Sequence, residues 1–598
     1  MASSTSARWN DLGEAAPAAS WRVRLLPDMA GIAGLVTFLY VLTFYQGHTR
    51  LFRDSDAGWH IRSGEEILRS GTLPRADPYS FSRTGEPWMN WEWLADVAGG
   101  AAHRAAGLAG VTAFYAAAIA VAVWLWFRLH WRLGTNFLLA AALAVPLLGT
   151  INLHWLARPH IFSWTLMLWA VWWLEGEPGR GRPVGSMVWW AAGSALWANL
   201  HGSFLFAPLA AGLYAAARLL RRSEWPAARY YGLAALVAGA ATLLNPYGWN
   251  LHRHVIGYLS DARLLASVGE FQSFNFHVDG AGQILLALGV SAAGTLAALG
   301  RRRLDHFLLG VLLLGWSLRS ARGLPLVALV LLPIAGAYLS GWWRERGLTA
   351  LREYGERLGD LDRRASPWIW APLLLAVAVA SSRLPAGFPG HEFPVEAAAR
   401  LEQLAPELFR GEGRLLAPDK FGGYLIYRFE GRLKVFLDGR SDFYGAAFLQ
   451  EWRRLAQVRP GWGAILDKHR FTHALLPNDY SLVEALERAG WTVLHRDSTA
   501  TLLALALPDT AQLRDRGARS QRAASTLVWT LGILPAASDL RSVEKQFRGP
   551  VRHYQSRARG PGAGEGARPT GQTFLIPSGG PQTHGDSLTV AAQHPRPA

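Results

Sequence analysis

The sequence predicts a polytopic α-helical membrane protein that ends in a small α/β domain and a disordered basic tail. Three observations carry this. Apolar residues before position 385 fall in runs of about 16–22. A helix rising about 1.5 Å per residue crosses a hydrocarbon layer of roughly 30 Å with such a run. Hydrophobic residues make up 51% of the 598, with 28 tryptophans, although a polar C-terminal third dilutes them. Beyond residue 385 the pattern changes to short β-like runs alternating with helical ones.

The predicted spans are 29–47, 107–127, 134–151, 160–174, 185–199, 203–220, 230–245, 281–299, 304–319, 323–341 and 368–384, about eleven in all. Residues 1–28 are polar, and the first run reads as a retained signal-anchor. The loops alternate in charge. One set carries Arg22, Arg24, Arg128, Arg132, Arg180, Arg182, Arg221, Arg222, Arg229, Arg301 to Arg303, and a group running from Arg344 to Arg364. Arginine-rich loops stay cytoplasmic, so the N-terminus is cytoplasmic. An odd span count then puts everything after residue 385 outside. The long first loop, 48–106, lies on that outer side, and its acids and bases nearly balance.

The formal net charge is +16. Carried by arginine-rich loops and a basic tail, it describes a protein in contact with a lipid bilayer and no nucleic acid. Lys420, Lys434, Lys468 and Lys545 all lie beyond the membrane part. The chain has no cysteine, which excludes disulfides, thiolate metal sites and thiol catalysis.

Directly after the first span the chain reads Arg53-Asp54-Ser55-Asp56-Ala57-Gly58-Trp59-His60. Ionisable groups at a membrane boundary are costly to keep partly dehydrated, so they mark a site. One carboxylate suffices to cap a helix starting near Ala57. Two, beside Arg53 and His60, exceed that need. Such a pair suits a general base that takes a proton from a hydroxyl. It also suits a divalent cation held against a phosphate. Two carboxylates are few for a metal, so the base is favoured and a cation at Asp54 and Asp56 stays open. Trp88, Trp91 and Trp93 bracket Glu92 before a second short helix. Tryptophan prefers the headgroup level, which predicts that both short helices lie along the outer leaflet.

Other polar residues fall on the same side. Arg158 precedes Pro159-His160, His201 sits in the turn Asn199-Leu200-His201-Gly202, and Arg319 and Arg322 bracket another turn. Guanidinium forks bind phosphates bidentately, so these three arginines are candidate phosphate holders. His60, Glu92, His160 and His201 are candidate substrate contacts. A satisfied structural role accounts for His201 equally well. His252 and His254 are too close in sequence to share a helix face, which argues against a zinc pair.

Residues 386–510 read as an extracytoplasmic α/β domain. β-like runs fall at 414–417, 433–437, 473–476, 492–495 and 501–506, with helical patterns at 394–404, 442–457 and 480–489. Two stretches, 418–424 and 436–444, follow expected strands, where α/β folds place ligand loops. In the second, Asp438, Arg440 and Asp442 stand beside aromatics, which suits sugar recognition. Docking onto the membrane part explains them equally. Residues 511–598 are rich in Arg, Gly, Pro, Ser and Gln and are predicted to be mostly disordered.

With these residues in place, the chain resembles the GT-C class of membrane glycosyltransferases. These are polytopic enzymes that use polyprenyl-phosphate-linked sugars and carry an acidic site in the first outer loop. More closely, it resembles a bacterial group of such proteins. The matching stretches are Asp54-Ser-Asp-Ala-Gly-Trp-His-Ile-Arg-Ser-Gly-Glu, Asp77-Pro-Tyr-Ser, Trp91-Glu-Trp-Leu, Arg158-Pro-His, Ala198-Asn-Leu-His-Gly, Asn245-Pro-Tyr-Gly and Asp438-Gly-Arg-Ser-Asp-Phe-Tyr, within 29–507. The resemblance implies a GT-C-like transmembrane domain over 29–385. It implies Asp54 or Asp56 as the base and outer arginines on the lipid phosphate. The reaction would carry a sugar from a polyprenyl-phosphate donor to a glycan, lipid or protein acceptor. The place would be the outer face of the bacterial inner membrane. The class often shows Asp-Glu directly after the first span. Here it is Asp-Ser-Asp, which leaves the identity of the base open. A lipid-linked glycan flippase would instead place charges deep within spans. A non-catalytic scaffold with a partner-binding outer domain would tolerate exchange of the first-loop acids.

Overall fold

A helix lies over each of the expected apolar segments. In order they are Met29–Leu42, Trp93–Leu133, Phe137–Ile151, His160–Leu174, Val184–Leu200, Phe206–Leu219, Trp225–Ala241, Ala281–Gly300, Leu304–Arg319, Ala321–Arg346 and Ala371–Ser381. The computed structural model describes residues 26–176, 184–346, 349–365, 371–381 and 384–505. These belong to one compact unit, Met1–Leu505. The expected tail 511–598 lies outside the described residues, as do Arg22, Arg24, Arg180 and Arg182. Among the described residues, 5 helices are long and apolar enough to cross a membrane: Trp93–Leu133, Phe137–His154, Gly202–Leu219, Ala281–Gly300 and Ala321–Arg346. The chain is a helical membrane protein.

Local chemistry sets the helix ends. Asp28 accepts the amide of Gly31 at 2.7 Å and caps the first helix. Asn136 does the same for Phe137–Ile151 through the amide of Leu138, at 3.0 Å. Pro226 stands in the first turn of Trp225–Ala241, where its missing N–H costs nothing, so that helix starts before the predicted residue 230. The last long helix widens to π geometry over Val327–Leu331, and the Trp126 indole donates to the Ala328 carbonyl there at 3.1 Å.

The first loop folds inward. Its helix, Asp56–Ser70, buries Asp56 to Ile61 without interruption. This part of the helix is surrounded by protein. Glycines explain the close fit. A side chain at Gly64 would run into the Asp96 carbonyl, and one at Gly58 into the Gly423 carbonyl. Backbone thus meets backbone on two sides, which fixes the height at which Asp56 and His60 are presented. The helix Trp93–Leu133 is broken at Ala106 and Gly107, so its first part packs on the loop helix and the rest runs with the bundle.

Residues 384–505 form a four-stranded sheet, ordered β1-β2-β4-β3, with helices around it. Strand β1 is Leu415–Leu416, β2 His473–Pro477, β3 Trp491–Arg496 and β4 Ala500–Leu505. β1 pairs parallel to β2, while β4 lies antiparallel to both β2 and β3. The strand expected at 433–437 is absent from this sheet. Val435 instead pairs with the first loop, donating to Tyr79 and accepting from Phe81, both at 3.0 Å. The stretch 418–424, expected as a ligand loop, is the start of the helix Asp419–Arg428. Its Gly422 and Gly423 lie against Leu437 and Ser55. The α/β part is seated directly on the first loop.

Candidate active site

The site is built where the first-loop helix meets the ends of several bundle helices. Arg158, at the start of His160–Leu174, spans the acidic pair. Its Nη1 lies 2.6 Å from Asp54 Oδ2, and its Nη2 lies 3.0 Å from Asp56 Oδ2. The same Nη1 donates to Glu270 Oε1 at 3.1 Å. Arg322 closes the row, its Nε donating to Glu270 Oε2 at 2.6 Å. Asp54, Asp56, Glu270, Arg158 and Arg322 therefore form one continuous network. Residues 104 apart in sequence make its central bond.

The two aspartates differ. Asp54 Oδ1 accepts the backbone N–H of Asp56 at 2.9 Å, so Asp54 does serve the helix start. Asp56 is 6% exposed and also accepts the Trp59 indole at 3.2 Å. Burial lifts its carboxyl to about 6, with Arg158 pulling down and Asp54 adding to the rise. Part of the cover comes from the α/β region. A Cβ at Gly439 would overlap Asp56 Oδ1, so only glycine lets that backbone close over the carboxylate.

A second chain of groups lies alongside. His60 Nδ1 is 2.6 Å from Asp96 Oδ1, and Asn90 Nδ2 donates to Asp96 Oδ2 at 2.9 Å. On its other side His60 Nε2 is 3.8 Å from Glu92, and Glu92 is 3.5 Å from His201 Nε2. Burial pushes the His60 imidazole down, but Asp96, with Glu92 and Asp56 behind it, outweighs that and holds it above its ordinary value. Burial lifts Glu92 to about 7 against the pull of His60. No hydrogen bond reaches the Glu92 carboxylate among the described residues. Burial, with Arg322 and Arg158 nearby, pushes His201 down to about 3, so it is neutral. Two carboxylates with raised affinity for protons thus flank His60, and both feel the charge of Arg158.

The other expected residues separate. His160 Nε2 bonds the His154 carbonyl at 2.8 Å. Arg319 is exposed and makes no ion pair among the described residues, so the pair Arg319 and Arg322 is split. Asp438 and Arg440 are buried at 1% and 2%. Arg440 is bidentate to Asp438 at 2.7 Å and reaches Asp77 of the first loop at 2.8 Å. Its guanidinium lies 4.6 Å from the Trp88 ring centre. That arrangement is a docking lock, the second of the two readings open for this stretch. Asp442 alone faces a cavity, with its Oδ2 2.9 Å from His254 Nε2. His252 points elsewhere, to Thr242 Oγ1 at 2.9 Å, as the helix spacing requires. No group of three or more His, Cys, Asp or Glu among the described residues is arranged to hold a metal.

Asp96 and the part played by Glu270 escaped the sequence reading. A lone acid four residues after Glu92, in the apolar run that opens a helix, is the signal for Asp96. Also missed was a cluster at the opposite helix ends. There His306 Nε2 lies 2.8 Å from Glu175, Tyr214 donates to Glu175 at 2.5 Å, and Arg218 donates to Asp305 at 2.6 Å.

Neither a protein-family model nor a curated protein sequence matches the chain. Solved structures do. The apo crystal structure of the Archaeoglobus fulgidus oligosaccharyltransferase superposes with a TM-score of 0.50 at 12% identity, over 76% of this chain and 69% of that one. Oligosaccharyltransferase AglB of the same organism, in complex with an inhibitory peptide and a dolichol-phosphate, gives 0.51 at 12% identity over 77% and 69%. This chain has the GT-C fold. ArnT from Cupriavidus metallidurans in its apo state gives only 0.40, at 15% identity over 80% and 100%.

Proposed function

We propose that the chain is a glycosyltransferase. It transfers a sugar from a polyprenyl-phosphate-linked donor to a glycan, lipid or protein acceptor. The reaction takes place at the outer face of the bacterial inner membrane, with the α/β part outside and the N-terminus in the cytoplasm. The observation that carries the reading is Arg158 spanning Asp54 and Asp56, continued through Glu270 to Arg322. The GT-C fold, shared with proteins of that chemistry, supports it.

The network suggests how the site is switched on. Without donor, Arg158 neutralises both aspartates. A donor phosphate competes for the guanidinium, because charge-assisted bidentate bonds to phosphate are as good as those to carboxylate. Asp56 then loses its cation and gains proton affinity in a buried place. The acceptor oxygen attacks the anomeric carbon, and the bond from that carbon to the phosphate oxygen breaks. The polyprenyl phosphate leaves with the electron pair, held by Arg158 and Arg322, and the acceptor proton passes to Asp56. Both charged clusters sit at helix ends and not midway, which favours an enzyme over a flippase.

The test is transfer in vitro by the full chain in lipid nanodiscs. Asp56→Asn is expected to stop transfer, and Arg158→Met to weaken donor binding. Well-folded Asp54→Asn and Asp56→Asn proteins that both keep full activity would sink the reading.

A further inference from the structure

A cavity of about 520 Å³ opens on the α/β side of the first loop, with Asp442 in its lining, within the ~300–1,000 Å³ range of small-ligand sites. It is an open groove lined by three separate parts of the chain: Met89 of the first loop, residues between Tyr247 and Leu264 of the segment after Trp225–Ala241, and Asp442 with Gly445 of the α/β region. Trp91 ties it to the site. Its ring centre lies 5.7 Å from His254 and 6.2 Å from Tyr258, both lining residues, and Glu92 is the next residue.

The lining mixes aromatic rings with polar and charged groups. Two phenol rings are pinned at their hydroxyls, Tyr247 to the Asn90 carbonyl at 3.2 Å and Tyr258 to Ser441 Oγ at 3.0 Å. Tyr258 is further held against Trp91 and Phe271, while Tyr247 is only half-buried. Around them stand polar groups with unused valence. Arg253 and the side-chain amide of Asn250 make no hydrogen bond among the described residues. Asp442 uses Oδ2 on His254, and Asp261 uses Oδ1 on the amides of Arg263 and Leu264, which leaves one oxygen of each without a hydrogen bond among the described residues. Spare donors and spare acceptors are therefore mixed. A phosphate asks for donors only and an ammonium for acceptors only. A polyol hydroxyl gives and takes in one place, and the C–H face of a sugar ring lies flat on an aromatic. A lipid tail would find Arg253, Asp261 and Asp442 in its way.

We propose that this cavity binds a carbohydrate acceptor, so that the sugar is passed to a hydroxyl of a glycan and not to a peptide or a lipid. The inference rests on the glycosyltransferase reading and specifies its acceptor. The test uses the full chain in nanodiscs against an array of soluble oligosaccharides, with an array of unmodified peptides alongside. Retention of an oligosaccharide class is expected. It should weaken at least tenfold in the double variant Asn250→Ala, Arg253→Ala, whose side chains are exposed and unpartnered and so carry none of the fold, and similarly in Tyr258→Ala. No oligosaccharide retained, equal retention by the variants, or retention of peptides alone overturns the proposal. Release of polyprenyl phosphate from a polyprenyl-phosphate sugar is followed separately. If release occurs and no oligosaccharide binds, the acceptor inference fails and the transferase reading stands. If oligosaccharide binds and the donor is never cleaved, the transferase reading fails instead.

Discussion

The two ends of the helical bundle carry charged clusters of similar size and opposite character. At the end away from the first loop, Glu175 is met by His306 at 2.8 Å, Arg303 at 3.2 Å and the Tyr214 hydroxyl at 2.5 Å. Asp305 is met by Arg303 at 2.9 Å and Arg218 at 2.6 Å. Burial raises Glu175, but His306 and Arg303 outweigh it and hold the carboxyl well below its ordinary range. At the first-loop end Asp56 and Glu92 are lifted to about 6 and about 7. One cluster surrounds its carboxylates with cations, and the other shares Arg158 among Asp54, Asp56 and Glu270 and leaves Glu92 with only His60 and His201 beside it among the described residues. The first ties together the ends of His160–Leu174, Phe206–Leu219 and Leu304–Arg319. The second holds two buried carboxylates whose affinity for protons is raised, the kind of perturbation that clusters at functional sites.

The contrast breaks most sharply under single substitutions. Asp56→Asn keeps the shape and removes the proton acceptor, so transfer should fall by about 10²–10⁴-fold, with thermal stability close to that of the parent. Glu175→Gln should do the reverse. Removing one member of a buried ion cluster costs about 3–5 kcal/mol. The melting temperature should drop by several degrees while the turnover of folded protein holds. Equal losses of turnover in both variants would erase the distinction between the two ends.

Glu92 offers a test through pH. Its folded carboxyl is raised from 4.5 to about 7. The stability gained by burying it neutral is present below about pH 4.5 and is lost as pH rises through 7. At about 1.4 kcal/mol per unit the whole effect is roughly 3 kcal/mol. Glu92→Gln stays neutral throughout. It should therefore melt higher than the parent at pH 8 and lose that advantage at pH 4.5. Parallel melting curves at the two pH values would show that Glu92 is an ordinary carboxylate.

How far the sequence reveals these clusters depends on the range of their contacts. Apolar runs are local, and a helix covers every one of them. The acids of the first loop and Arg158 stand out because charge at a membrane boundary needs a reason. Pairing is invisible at that level. Arg440 and Asp77 lie 363 residues apart, and nothing near either one announces a buried bond between them. Arg440 beside aromatics therefore reads as a ligand loop as readily as a lock. Asp96 is hidden by the apolar helix it opens, and Glu175 and His306 by the expectation that polar residues at helix ends face water. The strand expected at 433–437 fails for a related reason. Its β-like residues are real, but their partner is Tyr79 and Phe81 of the first loop.

The smallest expected effect is also the most specific to the acidic pair. If Asp56 is the base, kcat/KM should fall as pH drops through about 6, because the carboxylate must be ionised to accept a proton. Asp54 helps set that midpoint, since its charge raises Asp56. Asp54→Asn removes the charge and keeps an oxygen to accept the Asp56 N–H, the bond of 2.9 Å at the helix start. The acid limb should then move below pH 6, with only a modest change in the plateau rate. A change confined to the plateau would instead assign Asp54 to substrate binding. An unmoved limb in Asp54→Asn, together with its loss in Glu92→Gln, would transfer the role of base from Asp56 to Glu92. Asp56 would then belong with the cation-surrounded kind of carboxylate found at the other end of the bundle.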